Sequence, residues 1–436
     1  MTRTQLRVMA IAAVTVLATV AASCSEPEPE ASPTKAETTA STDCAGDALQ
    51  ECARASTIAD LVPDAPVAAD GEPYRIGMIN QENTPAGSYP ELSQAVQAAV
   101  EFVNTQLGGL DGRPIEVEVC NTEFSAEGST ACGQRFAEGD AAVVLGGIDV
   151  FGNGIDVLAD NDVPYAGGIP ISTQSVEAAN SFQWSGGTWG AAVAFAEHAA
   201  TTQKAKKVAV VYGEFGSITQ AAEYAETVLQ RHGVETQLVP YPIVATDLGS
   251  PMQAAASFDP DAIFVLAADA GCRAGFEAIA TLGLDAQKYF VGACAAPTIL
   301  DSVDAAATEG TIFNVEGPIS SSSPDPDVTF YNAVIEQYAD GLDPVGAGTV
   351  SFRSFMNLYT VLRDLGADGA TREAITSSLA AQRDATSFMG HDYTCDREQF
   401  EGLPAMCSPQ QILGQREGDA LQQITDWIDV GAIYAG

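Results

Sequence analysis

From Tyr74 onward the chain alternates short β-rich runs with longer amphipathic stretches. The β-rich runs are YRIGMIN (74–80), PIEVEVC (114–120), AAVVLGG (141–147), VPYAGG (163–168), KVAVVYG (207–213), ETQLVPY (235–241), DAIFVLAA (261–268), KYFVGAC (288–294) and GTIFNVE (310–316). Several are apolar without interruption, as parallel strands buried on both faces are. Between them, ELSQAVQAAVEFVNTQLG, SITQAAEYAETVLQRHG and GCRAGFEAIATLG carry the helical pattern, and each closes near a glycine, a usual C-terminal stop. Strand–helix–strand repetition predicts an α/β fold of parallel sheets flanked by helices. The patterned region, roughly 360 residues, exceeds what one hydrophobic core holds and predicts two domains. Ligands of such sheets bind beyond the carboxyl ends of the strands, so site residues are sought in the loops that follow them.

The N-terminus departs from this pattern. Arg3 and Arg7 precede an apolar, alanine-rich stretch over residues 8–22. It falls short of the ~20 strongly apolar residues of a comfortable membrane span and reads as a signal peptide, residues 1–23. Its end, Val20-Ala21-Ala22-Ser23-Cys24, resembles a bacterial lipobox, with Ala21 where leucine is preferred. The resemblance implies that Cys24 is lipidated and becomes the new N-terminus. The segment after it, SEPEPEASPTKAETTAST, holds no residue able to build a core and predicts a flexible tether. The tether is expected over residues 24–73, with a small Cys44–Cys52 loop inside it. The expected location is therefore exported and lipid-anchored to the outer face of the cell membrane.

Leaving out residues 1–23 leaves 17 basic against 58 acidic residues, a formal charge of −41. Such an excess excludes nucleic acid as a partner, since phosphate binding needs basic patches. It also argues against the folded part lying on anionic lipid. Without Cys24, eight of the nine cysteines remain. In an exported chain they predict disulfides, and they fall into the nearest-neighbour pairs Cys44/Cys52, Cys120/Cys132, Cys272/Cys294 and Cys395/Cys407. If strands 261–268 and 288–294 are adjacent, Cys272 and Cys294 sit at one sheet edge and can meet. The rival reading is a metal site. It is the weaker one, because there is no C-x-x-C and His198, His232 and His391 are scattered. No metal and no cofactor are expected.

The segment FVNTQLGGLDGRPIEVEVCN (102–121) carries Asn104, Gly108, Gly109, Gly112, Arg113 and Pro114 between a helix and a strand. With VVLGGIDVFGNG (143–154), NDVPYAGGIP (161–170) and the closing QQITDWIDVGAIY, it resembles the type I periplasmic solute-binding proteins, in the Leu/Ile/Val-binding branch that serves ABC importers. The last segment resembles that family's closing strands. The resemblance implies two Rossmann-like lobes joined by three hinge crossings, expected near 186–189, 315–318 and 388–393. Lobe I is expected over 74–187 plus 317–390, and lobe II over 188–316 plus 391–436. A ligand would bind between the lobes, and a docking partner would distinguish loaded from open forms.

Expected ligand contacts from lobe I are Ser88 and Tyr89 before the first helix, Asp149, Phe151 and Asn153 after the third strand, and Ile169, Pro170, Ser172 and Thr173 after the fourth. Hydroxyls and N–H groups at a helix start suit a carboxylate, although Ser172 or Thr173 taken alone is better explained as a helix cap. From lobe II, Glu214, Phe215 and Ser217 follow KVAVVYG and Asp269 follows DAIFVLAA, where an acid could meet a ligand amine. Trp184 and Trp189 read as lobe packing. Amino-acid binders of the family usually place an aromatic residue at the position of Ser217 and an acid near that of Cys294, which puts an α-amino acid ligand in doubt. A hydrophobic acid, an amide or another small polar metabolite stays open. No G-x-S-x-G elbow, H-E-x-x-H or P-loop is present, and no catalytic residue is assigned. The expectation is a monomeric, non-enzymatic binding lipoprotein that hands a small-molecule ligand to an ABC transporter permease. A ligand sensor of the same fold that signals to a membrane partner is the alternative.

Overall fold

In the segment that joins the first helix to the second strand, backbone geometry explains the residues. Asn104, near the end of the helix Pro90–Gln106, donates to the Ile115 carbonyl at 2.9 Å and accepts from the Ile115 N–H at 2.8 Å. Between these clamps Gly109 has φ +62°, and a Cβ there would stand 2.2 Å from the Arg113 carbonyl oxygen. Only glycine turns the chain so tightly at that point.

The protein is described from a computed structural model, which covers Cys44 and residues 48–84, 87–318 and 325–436. One parallel sheet comprises β1 (Tyr74–Asn80), β2 (Ile115–Asn121), β3 (Val144–Gly146), β4 (Tyr165–Ala166) and β5 (Ser181–Phe182), in the order β2-β1-β3-β4-β5. A second sheet holds β6 (Lys207–Glu214), β7 (Glu235–Pro242), β8 (Ala262–Leu266), β9 (Gln287–Phe290), β10 (Ile312–Val315), β11 (Ile412–Glu417) and β12 (Ala420–Gln423). Its order is β12-β11-β10-β9-β8-β6-β7, parallel from β7 to β10 and antiparallel over the last two strands. All five residues of β8 are buried, as its uninterrupted apolar run requires of a strand covered on both faces. Each sheet has its own hydrophobic core: one gathers Phe102, Phe330, Phe352 and Tyr359, the other Trp189, Phe195, Phe264 and Tyr289.

Four sequence expectations are corrected. The signal peptide, Cys24 and the first part of the tether lie outside the described residues, but the tether does not extend to 73. Leu49–Ala55 is a helix whose Leu49, Cys52 and Ala53 are buried in the core of lobe I. Thr57 then donates from its N–H (2.7 Å) and hydroxyl (2.9 Å) to the carboxylate of Asp327. Second, β9 stops at Phe290, because Gly292–Ala295 forms a 3-10 turn. Third, the closing segment contributes only the end of β12 before Val430–Ala435 forms a helix, capped by the Asp429 carboxylate on the Ala432 N–H. Fourth, the third crossing completes later than 388–393. Cys395 and Cys407 belong to the core of lobe I, whereas Phe400, Leu403 and Met406 between them pack in that of lobe II, so the chain passes between the two cores over the whole stretch before β11.

The four disulfides join Cys44–Cys52, Cys120–Cys132, Cys272–Cys294 and Cys395–Cys407. Because β8 and β9 are neighbours, the chain that follows each brings Cys272 and Cys294 to a Cα separation of 5.3 Å. In the unfolded chain this bridge would close a loop with a sequence separation of 22.

All three crossings converge on one carboxylate. Glu316, just past β10, accepts at Oε1 from the N–H groups of Gly186 (3.0 Å) and Gly187 (3.2 Å) in the first crossing. The same oxygen accepts from Gln411 Nε2 (2.8 Å) in the third. Its Oε2 pairs with Arg353 of the helix Gly348–Leu365 at 3.1 Å, and both side chains are almost fully buried. Arg353 also donates to the carbonyls of Glu316 and Trp184. Removing one partner of such a pair strands a buried charge, at a cost of about 3–5 kcal/mol. Arg353→Met should lower the unfolding free energy by about that much in denaturant titrations followed by far-UV circular dichroism, and adding Glu316→Gln should recover part of it. Replacing Cys272 and Cys294 together by alanine should cost about 3 kcal/mol in the same titration, from the loop entropy returned to the unfolded chain.

Candidate ligand-binding cleft

Between the lobes lies a cleft of about 840 Å³, floored at the hinge by Glu316 and Arg353. Its walls are mainly apolar: Ile148, Val150, Ile169 and Val350 from lobe I face Ile218, Val291 and Phe313 from lobe II. Lobe I also presents Tyr331 and the turn before the helix Gly348–Leu365, and lobe II presents the short helix Pro297–Leu300.

The strand-end rule explains which loops reach the cleft. Asn80, the last residue of β1, is fully buried, and its side chain holds two loops in place. Its Nδ2 donates to the Tyr89 carbonyl (2.8 Å) and to Glu82 (2.9 Å), and its Oδ1 accepts from the Ile148 N–H (3.0 Å). Gln81 follows. Its Nε2 donates to the Gly87 carbonyl at 2.9 Å, its backbone carbonyl accepts from the Tyr89 N–H at 3.0 Å, and its Oε1 has no hydrogen-bond partner. Gln81 is 1 % exposed and lines the cleft.

Of the residues expected from sequence, Ser88, Tyr89, Ile169, Phe215 and Asp269 line the cleft. The others stand outside its lining, each for a visible reason. Asp149 is buried behind it, accepting from the Ser129 hydroxyl (2.6 Å) and the Phe151 N–H (3.3 Å), and burial pushes its carboxyl pKa up. Asn153 and Thr173 open the helices Asn153–Asp160 and Thr173–Glu177. Ser172 caps the second of these, accepting from the Ser175 N–H at 3.3 Å. Pro170 packs its carbonyl against Gly187, and Glu214 ends β6 exposed to solvent.

Phe151 and Ser217, although outside the lining, tie the lobes together. Phe151 meets Phe215 edge to face at 5.8 Å, and Phe124 stacks behind Phe151 in the same manner at 5.5 Å. The Ser217 hydroxyl donates to the Ile171 carbonyl across the seam. A third tie joins the Tyr89 hydroxyl to the Asp269 carboxylate. Burial, and then Asp269, raise the Tyr89 pKa; burial raises that of Asp269, against the pull of Arg273. Glu91, in the first turn of the helix Pro90–Gln106, also lines the cleft, and burial pushes its pKa up to about 7 with Asp269 and Glu82 adding to the shift. Trp189 is buried in the core of lobe II, and its indole donates to Gln220 at 2.8 Å.

Sequence reasoning passed over Gln81, Glu91, Glu316 and Arg353. Gln81 directly follows an apolar strand, which is the signal that would have found it. Arg353 lies mid-helix, more than 150 residues beyond the first crossing it braces, and no local pattern announces that partner.

The geometry agrees with solved structures of known proteins. A leucine-binding protein from Thermotoga maritima matches with a TM-score of 0.66 and 16 % identity, over 80 % of this chain and 97 % of that one. A fatty acid ABC transporter substrate-binding protein from Thermomonospora curvata matches with a TM-score of 0.70 and 17 % identity, over 86 % and 96 %. An ABC transporter solute-binding protein from Rhodopseudomonas palustris, in complex with p-hydroxybenzoic acid, matches with a TM-score of 0.67 and 15 % identity, over 84 % and 99 %. No curated protein matches by sequence. At these identities the structures establish the type I periplasmic-binding-protein fold. The family model described as "Periplasmic binding protein" matches residues 73–403, and the chain therefore belongs to the periplasmic binding protein family.

Proposed function

We propose that this protein captures an apolar small molecule between its lobes and delivers it to an ABC importer, held at the outer face of the membrane by a lipid on Cys24. The observation that carries the reading is the cleft itself, walled by both lobes and crossed by the Tyr89–Asp269, Ser217–Ile171 and Phe151–Phe215 contacts. Side chains contributed by two hinged bodies make closure depend on what lies between them. The relatives named as ABC transporter binding proteins favour import over sensing, and their ligands, as named, include a fatty acid and an aromatic acid.

The contact set proposed is Ser88, Tyr89, Ile169, Phe215 and Asp269, with Gln81 and Glu91 added. Lining of this kind suits a ligand larger and more apolar than a single small amino acid, since drug-sized ligands occupy clefts of roughly 300–1,000 Å³.

In a thermal-shift screen of metabolites on the mature chain, a ligand present at 100 times its dissociation constant should add about 2.7 kcal/mol of stability. Phe215→Ala should weaken that ligand at least tenfold by titration calorimetry; unchanged affinity would move the site elsewhere. Incorporation of a palmitate analogue should be seen in the wild type and lost in Cys24→Ala. Equal labelling of the two would remove the anchor.

A further inference from the structure

We propose that the cleft selects a hydrophobic amine without a carboxylate: an ammonium head gripped by Gln81, Glu91 and Asp269, and a hydrocarbon body along the apolar walls. The inference rests on the reading of the inter-lobe cleft as the ligand site and names the class of ligand for it.

The head group follows from what the polar end of the cleft offers. Gln81 Oε1 is a buried acceptor without a donor, a condition that costs free energy unless a ligand supplies the missing N–H. The side chain cannot satisfy it by turning over, because its Nε2 is committed to the Gly87 carbonyl. Glu91 and Asp269 bring two carboxylates to the same end, one from each lobe, joined there by the Tyr89 hydroxyl on Asp269. These groups accept hydrogen bonds, and an ammonium is a donor with a positive charge.

The same groups reject a ligand carboxylate. Two helix N-termini point at this end, those of Pro90–Gln106 and Asp269–Leu282, and each already carries an acid in its first turn, Glu91 and Asp269. Their partial positive charge is thus complemented by the protein itself. Ser172, a hydroxyl that would suit a carboxylate, is committed to capping its own helix. Of the two guanidinium groups in the lining, Arg353 is bound to Glu316 at the hinge, whereas Arg416 pairs only at 3.7 Å with the exposed Asp419; both keep a buried Nε without a partner, and Arg416 is the one lining group that could meet an anion. The acidic excess of the whole chain adds a long-range field that draws cations toward the cleft.

The charge state of Glu91 gives the binding a pH dependence. Its neighbours are Glu82 on the preceding loop, Tyr89 beside it, and Asp269 on the facing helix with Arg273 next to that. Burial lifts the Glu91 pKa to about 7, so the contribution of the neutral carboxyl to the unliganded fold is fully present below the ordinary carboxylate pKa and is lost as pH rises from there through about 7. A bound cation stabilises the ionised form, so amine affinity rises with pH across the same interval.

The test is titration calorimetry of the mature chain with octylamine, 1-octanol and octanoate at pH 8.0 and pH 5.5. Octylamine should bind one-to-one and at least tenfold more tightly than the other two at pH 8.0, with the preference shrinking at pH 5.5. Lengthening the amine from butyl to octyl should tighten binding about fourfold per methylene. Glu91→Gln and, separately, Asp269→Asn should each lose most of the amine preference, read as the ratio of octylamine to octanol affinity in the same variant; two variants guard against one that misfolds. Octanoate or octanol binding as tightly as octylamine would overturn the proposal, the former pointing to Arg416 as an anion anchor. If none of the three binds while the metabolite screen yields a ligand sensitive to Phe215→Ala, the amine class falls and the carrier reading stands. A screen ligand indifferent to Phe215→Ala would remove the site on which both depend.

Discussion

Glu316 gathers into one carboxylate the three strands of chain that join the lobes. Glu316 itself belongs to the second crossing; amides of the first and a side chain of the third reach its carboxylate, and Arg353 supplies the countercharge from a lobe I helix. A buried ion pair is a poor source of net stability, since desolvation offsets most of the attraction. What this one supplies is geometry. With each crossing fixed to the same point, the lobes can rotate about the node but cannot shear past one another without leaving a charge uncompensated. The floor of the cleft is this node, so the walls close over a fixed base.

From that base the cleft is built by strand ends, and the chain's order shows why they converge. In a parallel sheet every strand releases its following loop on the same side. Asn80 then couples two of these loops through three hydrogen bonds. The apolar walls come from residues just past those strand ends, such as Ile148, Ile169 and Val291, and the polar end comes from the first turns of two helices. The relatives named above are a leucine, a fatty acid and a p-hydroxybenzoic acid binder. That one backbone serves such different ligands is expected when the fold sets only the positions of the loops and the side chains set the chemistry.

The parallel strands were legible where burial on both faces writes itself as an apolar run: 261–268 contains β8 and 207–213 falls one residue short of β6; 74–80 coincides with β1 despite the exposed Arg75, and the half-exposed edge run 235–241 falls one residue short of β7. The disulfide pairs were legible because all four join nearest neighbours in sequence, and for Cys272 and Cys294 because their strands lie side by side. The site was less so. Ser172, Asn153 and Asp149 have the residue types of a binding loop, yet hydroxyl, amide and carboxylate side chains serve equally to cap and brace such loops, and here Ser172 and Asp149 do that. The segment 48–73 misled for a related reason. It follows a spacer and lacks the strand–helix alternation of the rest, and the long-range partners Asp327 and the helix Pro326–Tyr338 make it part of a lobe. Contacts between positions hundreds of residues apart leave no local periodicity to read.

That segment has a mechanical consequence. Thr57 is hydrogen-bonded to Asp327, which also accepts from the Met389 N–H at 2.7 Å, and Cys44 is stapled to Cys52 on the same body. Anything that pulls on the chain upstream of Cys44 therefore pulls on lobe I as a block. On the lipid-anchored carrier reading proposed above, lobe I is the stator and lobe II the rotor, so a permease would meet one surface whose position is set by the attachment and another whose angle reports the cargo.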